Sequence, residues 1–148
     1  IPLGAQIDPG KFKVILFDSG IQQRVLGLDL SAYVANHSFD AVNKGNLAEV
    51  LTGLAILTNA APTQQPELYY WHRESKSSNA EVDYVIQKND RIIPVEVKAG
   101  TKGQMQSMYR FMDERKIPSG VRVSLENFYQ YDKIQVLPLY AISRLTDL

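Results

Sequence analysis

The sequence has no cysteine, one tryptophan and two histidines in 148 residues. The first absence excludes disulfide scaffolds, thiolate zinc centres and cysteine nucleophiles. His37 and His72 stand at no metal-ligand spacing, so both read as structural. Long hydrophobic runs are missing too: the longest mostly apolar stretch, Val50 to Leu57, falls far short of a bilayer span. Net charge is also absent, with 16 Lys+Arg against 16 Asp+Glu, which argues against a basic nucleic-acid coat protein and against an acidic tail. No Gly-rich loop ends in Gly-Lys-Ser/Thr, so this chain is expected not to bind ATP itself. What remains is one ordinary domain's worth of chain, 45% hydrophobic, enough to bury a core without staples. It is expected to be soluble and cytoplasmic, with no membrane partner. The opening Ile1-Pro2, without an initiator methionine, reads as a piece of a longer polypeptide.

The neutral total hides an asymmetry. Residues 1–70 hold four Lys/Arg against six Asp/Glu, and residues 71–122 hold ten against seven. The middle of the chain is its basic part, and the candidate chemistry falls there. Ahead of it, Lys13–Phe17 reads as a strand, punctuated by Asp18-Ser19-Gly20, with a short helix over Ile21–Leu28. A stronger helix is expected from Asn46, because Leu47, Val50, Leu51, Leu54 and Ala55 recur at helical spacing until Ala60-Ala61-Pro62. Leu68–His72 is aromatic-rich and strand-like. Val82–Gln87 and Arg91–Lys98 read as a hairpin, Gln104–Lys116 as a helix, and Val121–Val123 and Lys133–Leu137 as further strands. Helices on both faces of a small mixed sheet bury such a set economically, so the class is α/β.

The hairpin carries the chemistry. A two-residue turn at Asn89-Asp90 puts Lys88 opposite Arg91 and, further along the ladder, Asp83 opposite Glu96. A four-residue loop keeps that pairing, whereas a three-residue loop slips it. Directly opposed residues have Cβ atoms about 4.5–5.5 Å apart, and Lys98 shares the face of Glu96. Opposed carboxylates repel unless a divalent cation lies between them. Mg²⁺ or Mn²⁺ suits hard oxygen ligands, and such a cation activates water and neutralises phosphoryl charge. An adjacent ammonium adds a fixed positive charge for the transition state. Glu49, a lone acid on an otherwise apolar helix, is a third candidate carboxylate.

At these positions the sequence resembles the restriction-endonuclase-like nucleases, the PD-(D/E)xK superfamily, whose signature is an acid on one strand, Glu-x-Lys on the next and often a Glu on the preceding helix. The matching residues are Asp83, Glu96-Val97-Lys98 and Glu49, and the shared α-β-β-β-α-β order covers about residues 45–124. A narrower resemblance spans most of the chain. Phe12–Gly20, Gly45–Glu49, Leu68–Trp71, Ala80–Val85 and Ile93–Lys98 look like the domain C-terminal to the ATPase module in a bacterial and archaeal AAA-type ATPase family. The resemblance implies an upstream ATPase domain in the same polypeptide. It also implies a nuclease-like core at 43–148, with residues 1–42 as a strand–helix extension packed on it. Asp83, Glu96 and Lys98 would be catalytic, with Asp83, Glu96, Val97 and Glu49 as metal ligands. Arg73, Lys76 and Lys102 would form a phosphate-tracking rim, joined by Arg110 and Arg115.

Plainer readings stand beside each of these. The hairpin acids can be surface charge, with Lys98 paired across to Glu81. Asn46-x-x-Glu49 matches a capping box. Pro94 marks its strand as edge-like or bent. Trp71, Tyr69 and Tyr70 read as core before they read as a stacking platform for bases. Two other functions also fit: a binding or oligomerisation module that keeps the fold without the reaction, and a metal sensor reporting to the ATPase.

Overall fold

A computed structural model describes residues 2–27, 41–63, 65–74, 79–100 and 103–147. The described chain opens with a turn of 3₁₀ helix (Leu3–Gln6) and helix α1 (Ser19–Val25). Helix α2 (Ala41–Thr58) follows, then strands β1 (Tyr69–Arg73), β2 (Ala80–Lys88) and β3 (Arg91–Val97). Helix α3 (Gln106–Arg115) leads to β4 (Gly120–Ser124), β5 (Tyr129–Tyr131) and β6 (Ile134–Pro138), and a kinked 3₁₀ segment closes the chain (Leu139–Asp147). The six strands form one mixed sheet in the order β1-β2-β3-β4-β6-β5. The β1–β2, β2–β3 and β5–β6 pairs are antiparallel, whereas β3–β4 and β4–β6 are parallel. The protein is thus α/β, with helices on both faces of the sheet. No described helix is long and apolar enough to cross a membrane.

Strand alternation divides the core between the two faces. Ile93, Val95, Val97, Val121 and Val123 point to one side, where Ala48 and Ile56 of α2 and Ala141 and Leu145 of the closing segment cover them. Val82, Val85 and Ile134 point to the other, under Met108, Phe111 and Met112 of α3. Trp71 packs its ring 5.2 Å from that of Phe111, as a core tryptophan should. Helix α2 ends where Thr58 Oγ1 donates to the Leu54 carbonyl and the Asn59 side chain to that of Ala55, just ahead of Ala60-Ala61-Pro62.

Several expectations need correction. Lys13–Phe17 is not a strand: residues 11–16 have no regular secondary structure and pair with no strand of the sheet. Its alternating side chains suit an extended backbone, and what they contact is α2 and β2 instead of a ladder. Helix α2 begins at Ala41, so Asn46 lies inside it and the capping box does not form. Pro94 is not on an edge strand, since β3 lies between β2 and β4. Its missing N–H is tolerated because β3–β4 pairing begins one residue later, at Val95↔Val121. Strand β5 had no counterpart in the sequence pattern: it is three residues long, turned into β6 by Asp132 at φ 50.

Candidate metal centre

The β2–β3 register is the one a two-residue turn dictates, from Lys88↔Arg91 to Tyr84↔Val95. Asn89 takes the positive φ of 57 that this turn needs. The next position on β2 is Asp83, and there the ladder gives way to a side chain. Its Oδ2 accepts a hydrogen bond from the Val97 N–H at 2.7 Å. On the other side, β1–β2 pairing slips between Tyr69↔Val85 and Trp71↔Val82. Strand β2 therefore spends one extra residue at Asp83-Tyr84, a bulge of the kind that re-aims a side chain. Both Val82 and Val85 consequently lie in the core under α3, while Tyr84 joins the opposite core.

The bulge brings together acids from two elements. Carboxylate oxygens of Glu49 on α2 and of Glu81 and Asp83 on β2 all lie within 4.8 Å of one another. Their charge is met by Lys13, whose Nζ donates to Glu49 Oε1 at 2.6 Å and to Glu81 Oε1 at 2.7 Å. The same ammonium lies 5.3 Å from the ring centre of Tyr70 and 5.7 Å from that of Tyr84. Tyr84 donates its hydroxyl to the Glu49 carbonyl at 2.8 Å, tying the helix to the bulge. Burial pulls the Lys13 pKa down, but the bonds to Glu49 and Glu81 outweigh it, and the net shift is upward. An open groove lined by Lys13, Tyr70, His72 and Glu81 leads from solvent to this group.

Glu96 and Lys98 form a second, adjoining unit. Glu96 is only 5% exposed. Its Oε1 accepts from Lys98 Nζ at 2.6 Å, and its Oε2 is buried with no hydrogen-bond partner. Burial pushes the Glu96 pKa up, against the opposing pull of Lys98. Glu96 does not belong to the three-acid group, yet its charge reaches it. Asp83 is pushed up to about 7, by burial first and then by Glu96, while the Val97 N–H and Lys13 pull the other way. Neighbouring carboxylates disfavour one another's charged forms, and a cation or proton between them relieves that repulsion.

The expected residues thus divide. Asp83 and Glu49 come together, Glu96 and Lys98 adjoin them, and Val97 holds Asp83 through its backbone. Lys98 does not pair with Glu81, which takes Lys13 instead. Arg73 is bonded to Glu114 of α3 and so does not stand free as a rim. Lys76, Lys102 and His37 lie outside the described residues. Glu81 as a member of the acid group was not anticipated, nor were Lys13 as its counter-ion and Arg122. Arg122 is 4% exposed, stands in register with Glu96 on the neighbouring parallel strand, and leaves Nη2 without a hydrogen-bond partner. Its Nη1 donates to the Tyr131 hydroxyl at 3.3 Å, and its Nε lies 3.4 Å from Glu126 Oε2. A charge inside the apolar run Val121-Arg122-Val123 was the available signal, since interior parallel strands seldom carry one.

Residues 44–142 match the family described as "Domain of unknown function (DUF4143)", and the chain belongs to that family. No curated protein and no solved structure matches it.

Proposed function

We propose that this DUF4143 domain is a nuclease-like module with a restriction-endonuclease-like core, whose acids bind Mg²⁺ or Mn²⁺ for hydrolysis of DNA phosphodiesters. The supporting observation is the bulge at Asp83, which sets three carboxylates within 4.8 Å beside a buried Glu96 with an unpartnered oxygen. Hard oxygen donors of this number suit a divalent cation, and an unpartnered buried carboxylate oxygen is costly to keep without one. Asp83, Glu49 and Glu81 would hold the cation, with Glu96 beside them. When bound, it supplies Lewis acidity toward water and a phosphoryl oxygen. Lys98, held at 2.6 Å by Glu96, offers a fixed positive charge to the substrate phosphate. The Val97 N–H keeps the Asp83 carboxylate oriented. An upstream AAA-type ATPase domain in the same polypeptide is the proposed partner.

The test is scission of single- and double-stranded DNA with Mn²⁺ by the wild-type chain and by Lys98→Ala. Cleavage that requires the metal and disappears in a folded Lys98→Ala supports the reading. Cleavage retained in that variant contradicts it. A second reading, a binding or oligomerisation module without the reaction, draws on Lys13, which already neutralises Glu49 and Glu81 within the chain. It is favoured if neither protein cuts DNA and if Asp83→Asn leaves assembly with the ATPase intact.

A further inference from the structure

The cation at the acid group comes from outside the family match. Lys13 belongs to a stretch without regular secondary structure, residues 11–16, that lies N-terminal to the matched residues 44–142. Along it Phe12 and Val14 are 78% and 67% exposed, while Lys13, Ile15 and Leu16 are partly buried. Lys13 reaches both Glu49 and Glu81. Ile15 packs on the core beside α2, where Gly53 leaves it room. A Cβ on Gly53 would stand 2.7 Å from Ile15 Cδ1 and 2.7 Å from the Tyr84 hydroxyl. The stretch is therefore seated by Ile15 in a glycine notch, by the Lys13 ammonium among acids, by the partly buried Leu16 and by an exposed Lys11–Glu74 ion pair, without strand pairing.

We infer that residues 11–16 form a strap whose Lys13 ammonium holds the cation position at Glu49 and Glu81, so that strap seating and divalent-metal binding exclude each other. The inference rests on reading the acids as a metal centre. Its physical basis is shared oxygens: Glu49 Oε1 and Glu81 Oε1 each already accept from Lys13 Nζ. A divalent ion drawing on those carboxylates would meet an ammonium at contact distance. Repulsion between the two cations favours release of the strap. The strap then sets how readily the domain loads metal, and whatever lifts residues 11–16 switches the site on.

Two measurements on the wild-type chain, Lys13→Met and Ile15→Ser test this. The first is Mn²⁺ affinity by calorimetry. The second, on the wild-type chain and Ile15→Ser, which keep Lys13, is tryptic cleavage after Lys13 with and without Mn²⁺, with cleavage after Lys116, outside the strap, as the internal reference. Ile15→Ser alters no charge, so tighter Mn²⁺ binding in that variant, by about tenfold, reports strap release alone. By linkage, Mn²⁺ should speed cleavage after Lys13 in the wild type relative to cleavage after Lys116. If Mn²⁺ binds the wild type while Ile15→Ser has the same affinity and Lys13 cleavage is unchanged, the strap is overturned and the metal centre stands. If none of the three proteins binds Mn²⁺, the metal centre itself fails and the strap falls with it.

Discussion

Two acidic units lie side by side, Glu96 on β3 and Glu81 and Asp83 of β2 joined by Glu49 of α2, and each is neutralised differently. Glu96 is compensated by Lys98, two residues along the chain, in a pair whose carboxylate is buried and whose ammonium is partly exposed. Glu49 and Glu81 are compensated by Lys13, which is 36 and 68 residues away in sequence, in a part-buried setting. The first arrangement is built into the strand and can change only if the strand does. The second depends on a segment distant in sequence. On the proposed reading, a site that holds its shape while exchanging a cation uses both kinds of compensation. The difference between them can be tested in four ways.

The largest effect should come from pH. Asp83 is raised from 3.8 to about 7 in the folded chain. Between those values the folded state holds a proton that the unfolded state has released, so stability falls as pH rises from about 4 to 7. Glu96 is raised as well and adds to the same slope. Without added metal, unfolding in urea across this window should show a loss of about 3–4 kcal/mol. Asp83→Asn should remove most of it.

Next comes the buried pair. Lys98→Met leaves the Glu96 carboxylate without its partner and should cost about 2–3 kcal/mol at pH 8, toward the lower end for a buried pair because Lys98 is itself partly exposed. The loss should shrink as pH falls, because burial raises the Glu96 pKa and protonation removes the buried charge. The double variant Glu96→Met/Lys98→Met should recover much of the stability, which a double-mutant cycle measures.

A smaller effect is expected at Gly53. Gly53→Ala gains helix propensity but drives a methyl into Ile15 and the Tyr84 hydroxyl. The clash should win, with a net loss of about 1 kcal/mol in chemical denaturation. The smallest effect belongs to Lys13→Met. Its partners Glu49 and Glu81 keep 26% and 44% of their side-chain surface, and removing the ion pair should cost less than about 1 kcal/mol. A loss as large as that from Lys98→Met would erase the distinction between the two groups.

What could be read from the sequence follows the same division. The hairpin register was legible because a two-residue turn leaves no freedom once Asn89-Asp90 is recognised. Glu96 and Lys98, two residues apart on one strand, came with it. Glu49 was legible as an isolated acid on an apolar helix. The bulge at Asp83 was not, since it is set by pairing with β1 and leaves no local pattern. Lys13 was hidden for a related reason. Its alternating neighbours suit any extended backbone, whether or not that backbone joins a sheet. The start of α2 was misplaced because Asn46 and Glu49 have cap spacing, although Ala41–Gly45 continue the helix and Asp40, just before them in the sequence, is also a cap-type residue. Local chemistry was readable, and contacts between distant segments were not.

The central claim is that the acids gathered at the β2 bulge take up a divalent cation, and thermal unfolding with and without Mn²⁺ tests it most directly. A ligand at a hundred times its dissociation constant stabilises the folded state by about 2.7 kcal/mol. The wild-type chain should gain stability of that order from Mn²⁺, and Asp83→Asn should gain little. Equal shifts in the two proteins, or none in either, would contradict the claim.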